Sequence, residues 1–70
     1  MHRIKILNPE DKDLNYVGSI YAYQVESTAK LYFYEAPEAE ASELSAIEAH
    51  YLLNNILTEY DDLRFEIENI

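Results

Sequence analysis

Cysteine and tryptophan are absent from this 70-residue chain, glycine and methionine each occur once, and proline occurs twice. Without cysteine there is neither a disulfide staple nor a thiolate metal site, a composition that suits a reducing cytoplasm. The lone glycine, Gly18, cannot build a loop that cradles phosphate. No apolar run approaches the roughly 18 residues of a membrane span. The opening stretch MHRIKILNPEDKD has neither the apolar core nor the cleavage site of a signal peptide. The chain is therefore expected to be soluble and cytoplasmic. Basic residues are scarce as well: five stand against fourteen acids, for a net charge of −9. A surface of that sign repels nucleic acid and anionic headgroups and draws cationic partners across a Debye length of about 8–10 Å. Neither direct nucleic-acid binding nor membrane binding is expected.

What is present points to one folded domain, residues 1–70, rather than a disordered acidic tail. Hydrophobic residues make up 49% of the chain, and seven tyrosines and two phenylalanines are spread through it. Domains near this size bury only about 60% of their unfolded surface, so the core is small. Help from a second copy, giving a homodimer, or from a partner is expected.

The stretch from Ser42 to Tyr60 is where a helix is expected. Ser42 is a favoured N-cap, and Ser45 with Glu48 repeats the S-x-x-E capping signature one turn later, so two starts compete. On a wheel, Ala46, Ala49, Leu52, Leu53, Ile56, Leu57 and Tyr60 gather on one broad face, the pattern of a helix laid on a core. Leu44, Ile47 and Tyr51 fall at i, i+3 and i+7 on the opposite side. They either tuck under the 36–41 loop or form a seam for a partner or a second copy.

Three other stretches read as strands. HRIKIL at 2–7 alternates, with Ile4 and Ile6 facing one way and Arg3, Lys5 and Leu7 the other. Residues 14–25 fit a helix spacing in part, but their Tyr, Val and Ile content with Gly18 inside favours a strand, with a bulge at the glycine. AKLYFYEA at 29–36 places Leu31 and Phe33 on one face and Tyr32 and Tyr34 on the other, and Glu26-Ser27-Thr28 suits a hairpin connection. LRFEIENI at 63–70 alternates again, Leu63, Phe65 and Ile67 inward. Pro37 to Ala41 can open the helix, since proline is welcome in a first turn. The order is βββαβ, and the expected class is α+β: a small antiparallel sheet with one helix on one face.

The residues offer no catalytic constellation. His50 has Ala46 and Asn54 one turn away, neither of them a ligand, and His2 lies at the chain end, so both read as ordinary surface histidines. The acid pairs Asp61/Asp62, Glu38/Glu40 and Glu66/Glu68 match no calcium loop and have no evident cleft. No cofactor, metal or enzymatic activity is expected.

The acids suggest a binding role instead. Glu59, Asp61 and Asp62 crowd the negative end of the expected helix, where each costs about 0.3–1 kcal/mol at low salt. With Glu66 and Glu68 they would make one anionic edge. Should the first and last strands be neighbours, Arg3 and Lys5 would instead neutralise Glu66 and Glu68 in a cross-strand ladder. Tyr32 and Tyr34, together with Tyr21 and Tyr23, supply either a binding surface or aromatic packing across the hairpin.

In its format, a single cysteine-free domain with dispersed acids such as EYDD at 59–62 and FEIE at 65–68 and many tyrosines, the chain resembles a group of phage proteins. These are the small acidic proteins that bacteriophages encode to disable host machinery, among them DNA-mimic inhibitors. No motif carries the likeness, so no functional residue transfers. The resemblance implies a stoichiometric blocker in the host cytoplasm, often dimeric, that fills the DNA- or RNA-binding channel of a basic host protein. The residues that would carry such contacts are the acids Glu59, Asp61, Asp62, Glu66 and Glu68. A regulatory interaction module would instead use the apolar set Leu44, Ile47, Tyr51, Tyr32 and Tyr34.

Overall fold

Period-two alternation decides four segments. A computed structural model describes residues 1–55 and 57–70, apart from the side chains of Val25, Lys30 and Leu31. The expectations that placed Ile56 on the helix's broad face and Leu31 beside Phe33 lie outside the described residues. The strands are β1 (His2–Ile6), β2 (Tyr16–Val25), β3 (Thr28–Ala36) and β4 (Phe65–Asn69), and the helix is α1 (Ala46–Asn55). The α+β class with the order βββαβ is therefore the observed one. The sheet is antiparallel throughout in the order β3-β2-β1-β4, and its first and last strands are neighbours. Their register sets Ile4 opposite Ile67 and Ile6 opposite Phe65 on the helix side, with Arg3 opposite Glu68 and Lys5 opposite Glu66 on the outer side.

In β2 the alternation breaks at the glycine. Val17 pairs with Glu35 and Ile20 with Phe33, so Gly18 and Ser19 together oppose Tyr34 alone, which is a β-bulge. The extra residue resets the phase, so Val17 and Ile20 both face the core although they are three apart. A side chain on Gly18 would put its Cβ 2.7 Å from the Cβ of Ala36 and 3.1 Å from the carbonyl oxygen of Tyr34, so only glycine fits there. Beyond the bulge the β2–β3 hairpin folds across the core. β3 and β4 are opposite edges of the sheet, yet the Phe33 ring lies 6.0 Å from that of Phe65 and 4.9 Å from that of Tyr60. A two-residue turn at Glu26-Ser27 closes the hairpin, with Glu26 at φ 57°.

A bulge leaves backbone carbonyls without partners on the neighbouring strand, and here the chain before the helix supplies them. Ser42 donates its N–H to the Val17 carbonyl at 3.0 Å and its hydroxyl to the Gly18 carbonyl at 2.6 Å. Two residues on, Leu44 and His2 exchange both backbone hydrogen bonds at 2.7 Å. The segment 42–44 thus lies against β1 and β2 like a fragment of a further strand.

Ser42 is for this reason not the helix cap. The helix starts one turn later, at the second capping signature: Ser45 Oγ accepts the Glu48 N–H and Glu48 Oε1 accepts the Ser45 N–H, both at 3.1 Å. Pro37 does not open this helix either; Glu38–Glu40 form a separate 3₁₀ turn. At the other end α1, described as Ala46–Asn55, does not run on to Tyr60. The Asn55 side chain donates to the Tyr51 carbonyl at 2.9 Å, competing with the backbone as asparagine does, and Leu57–Glu59 tighten into a 3₁₀ turn.

The core lies between the sheet and α1. Ile4, Ile6, Val17, Leu44, Ala49, Leu52 and Leu57 are buried there, with Ile20, Phe33, Leu53, Leu63, Phe65 and Ile67 packed around them. Gly18→Ala is expected to lower the unfolding free energy by about 1–3 kcal/mol, because the Ala36 methyl cannot rotate away. Ser19→Ala, on the exposed residue of the same bulge, should change it by less than about 0.5 kcal/mol. Chemical denaturation distinguishes them; a Gly18→Ala midpoint equal to wild type would mean that β2 and β3 are not held this closely.

Candidate functional site

The five acids proposed for one anionic edge divide into two groups. Glu66 and Glu68 lie on β4, where Lys5 and Arg3 stand directly opposite, so both carboxylates face a basic neighbour. Glu59 lies in the 3₁₀ turn after α1, and Asp61 and Asp62 in the turn before β4, all three exposed. A second acidic loop joins them. The Asn8 side chain donates to the Asp62 carbonyl at 2.9 Å and accepts the Arg64 N–H at 2.7 Å. The loop carrying Glu10, Asp11 and Asp13 is thereby held at the same end as Glu59, Asp61 and Asp62, with Lys12 and Arg64 as its bases. The acidic end is thus a different set from the strand edge expected.

Glu68 belongs to a polar cluster on the outer face. Its Oε1 accepts the Tyr16 hydroxyl at 2.8 Å and Arg3 Nε at 2.9 Å, while Arg3 Nη2 reaches Glu38 Oε1 at 2.7 Å. The Arg3 guanidinium also sits 4.6 Å from the centre of the Tyr16 ring, a cation–π contact. The Tyr16 hydroxyl and then the Arg3 guanidinium hold the Glu68 carboxyl below the usual carboxylate range. Burial, and then the Glu68 contact, pushes the Tyr16 hydroxyl up. The cluster joins β1, β2, β4 and the Glu38–Glu40 turn, and its groups are spent on one another.

The tyrosines of the hairpin lie on its outer face. Tyr21 stacks on Tyr34 at 4.6 Å and on Tyr32 at 5.6 Å between ring centres, and Tyr23 meets Tyr32 edge-on at 6.4 Å. The expected packing of rings across the strands is present, and Tyr23 and Tyr34 remain 58% exposed.

The expected apolar stripe of the helix becomes a groove. Leu44 is not on the helix and not exposed; its bridge to His2 draws it into the core. Ile47 and Tyr51, one turn apart on α1, are 82% and 56% exposed. Between them and β2 runs an open groove of about 400 Å³ lined by Ile20, Leu44, Ile47, Glu48, Tyr51 and Leu52. Sequence reasoning missed Ile20 and Leu52 as members of this surface. The wheel puts Leu52 on the broad face, and Ile20 turns toward α1 only because the bulge resets the phase of β2. From Leu31 to Leu63 the chain carries no lysine or arginine, while Glu35, Glu38, Glu40, Glu43, Glu48, Glu59, Asp61 and Asp62 fall in that span. Every groove residue but Ile20 belongs to it. The N–H and then the hydroxyl of Ser45 hold the Glu48 carboxyl below the usual range.

His50 is exposed, whereas His2 is half-buried and its Nδ1 is enclosed with no hydrogen-bond partner among the described residues. Among the described residues no three His, Cys, Asp or Glu side chains are placed to hold a metal ion, and no helix is long and apolar enough to cross a membrane. Comparison of the chain with protein-family models, curated protein sequences and solved structures finds no match.

The depressed Glu68 carboxyl stabilises the fold above the ordinary carboxylate pKa of about 4.3, and that contribution is lost as pH falls through its folded value. Tyr16→Phe removes the larger cause, so it is expected to cost about 1–2 kcal/mol at pH 7 and clearly less at pH 2. Denaturant titrations of both proteins at the two pH values check this. A difference that does not change with pH would uncouple Tyr16 from Glu68.

Proposed function

We propose that this protein is a non-enzymatic interaction module that binds a partner protein through the apolar groove between α1 and β2. The outward tyrosines of β2 and β3 form a second contact area. One observation supports this above all: Ile47, the most exposed large apolar side chain among the described residues, rims a groove together with Tyr51 instead of standing alone. Isolated exposed apolar residues need no explanation, but a contiguous apolar concavity on so small a domain does. Aromatic and aliphatic anchors of this type dominate protein interfaces when a partner excludes water from them. A second copy of the chain is one such partner, which would make the module a homodimer.

A second reading has its own support. The acidic loops at 10–13 and 59–62 are tied together through Asn8, and they gather negative charge at one end with few bases. An inhibitor that blocks the DNA- or RNA-binding surface of a basic host protein, as phage-encoded DNA mimics do, would use that end. It would rely on Glu59, Asp61 and Asp62 and not on Glu68, which Arg3 holds, or Glu66, which stands opposite Lys5.

The two readings part in one experiment. Ile47→Asp places an acid in the first turn of α1, where the helix dipole favours it, so the fold is retained. Affinity capture from a bacterial lysate is expected to lose its partner with Ile47→Asp and Tyr51→Ala, and to keep it in high salt. The double charge reversal Asp61→Lys with Asp62→Lys should leave capture intact. Capture that survives Ile47→Asp but collapses on charge reversal and on added salt would overturn the groove in favour of the acidic end.

A further inference from the structure

We infer that the groove between α1 and β2 receives a basic amphipathic helix of a partner protein: an apolar stripe seated on Ile20, Ile47 and Tyr51, with lysine or arginine on its flanks. This rests on the groove being the binding surface and specifies what fills it. The apolar half follows from the lining, in which Glu48 is the single charged side chain among the described residues. The charge follows from the surroundings. No lysine or arginine occurs between Leu31 and Leu63, the stretch that supplies the groove's helix wall and floor, whereas Glu43 flanks Leu44 and Glu48 lies in the lining. The whole molecule reinforces this local sign with a net charge of −9.

The helical form follows from dimensions. α1 has ten residues, a ridge of about 15 Å at 1.5 Å per residue, and its exposed anchors Ile47 and Tyr51 are spaced i, i+4. Such a ridge interdigitates with a helix of two to three turns carrying apolar residues at i, i+3 and i+4. A second copy is the poorer fit. Its own exposed ridge comes from the same base-free stretch, so two ridges would bring carboxylates together with no cation between them. Arg3, moreover, is held by Glu38 and Glu68 on the outer face.

The test uses three synthetic helical peptides of equal length, titrated into the full chain and followed by NMR at Ile20, Ile47, Tyr51 and Leu52. The first has a leucine stripe and lysine flanks, the second the same stripe with glutamate flanks, and the third the same lysines with glutamine in place of leucine. The first is expected to bind at the groove. The second and third, and the first against Ile47→Asp, should each be weaker by about ten-fold or more, the loss of one central anchor or of charge matching. Equal binding of the lysine–leucine and glutamate–leucine peptides would overturn the basic partner while leaving the groove as a contact surface. Concentration-dependent shifts at the groove without peptide would do the same, with a second copy as occupant. Equal binding of the glutamine peptide, or shifts confined to the 10–13 and 59–62 loops, would overturn the groove itself and with it the proposed function.

Discussion

The two hydrogen bonds from Ser42 to the carbonyls of Val17 and Gly18 hold three parts of the chain in one place. They satisfy the backbone that the β-bulge leaves open and anchor the segment that carries Leu44 onto β1. They also fix the point from which Ser45 and Glu48 start the helix. Each of these sets one side of the groove: the bulge turns Ile20 inward, the bridge to His2 buries Leu44, and the capping box orients Ile47, Tyr51 and Leu52. A carbonyl left unpaired there would cost about 1–3 kcal/mol, a large share of the stability of so small a domain. The groove is consequently a consequence of how the backbone is satisfied and not a loose apolar surface.

Charge in this protein is sorted by topology. Pairing β1 with β4 brings two bases against two acids and bonds Arg3 to Glu68, which Tyr16 also holds. What that pairing leaves is an excess of carboxylates over the stretch that builds the helix wall of the groove, and a second concentration where the 10–13 and 59–62 loops meet. On the proposed reading both favour a cationic partner. They differ in what else they offer: the groove adds apolar area and a defined shape, whereas the loops add charge alone, which screens over about 8–10 Å in salt. Specific recognition needs the former, and electrostatic attraction then speeds the encounter.

Much of the fold was legible because period-two alternation survives in HRIKI and FEIEN, and because S-x-x-E is a local signal that needs no tertiary contact. The ladder of Arg3 with Glu68 followed from the same alternation once β1 and β4 were adjacent. What was not legible depended on long-range backbone pairing. Ser42 looks like a helix cap from its neighbours alone, but the open carbonyls of the bulge compete for it and win. Leu44 fits a helical stripe with Ile47 and Tyr51, yet two backbone bonds to His2 place it in the core. The helix spacing that residues 14–25 offer in part is only apparent, since across the bulge Val17 faces the core and Tyr21 the outer side. For the site, Ile47 and Tyr51 could be named from the wheel, while Ile20 could not, because its side of the strand is set by Gly18.

If the junction at Ser42 preforms the groove, the amide hydrogens of Ser42 and Leu44 should exchange with solvent only when the whole domain opens. Native-state hydrogen exchange measures this directly. Protection of Ser42 and Leu44 equal to that of Ile6, whose N–H is bonded to the Asn15 carbonyl within the core sheet, is the predicted result. Exchange of Ser42 and Leu44 at the rate of an unprotected peptide, with Ile6 still protected, would contradict it: the segment would detach on its own and the groove would not exist as a standing surface.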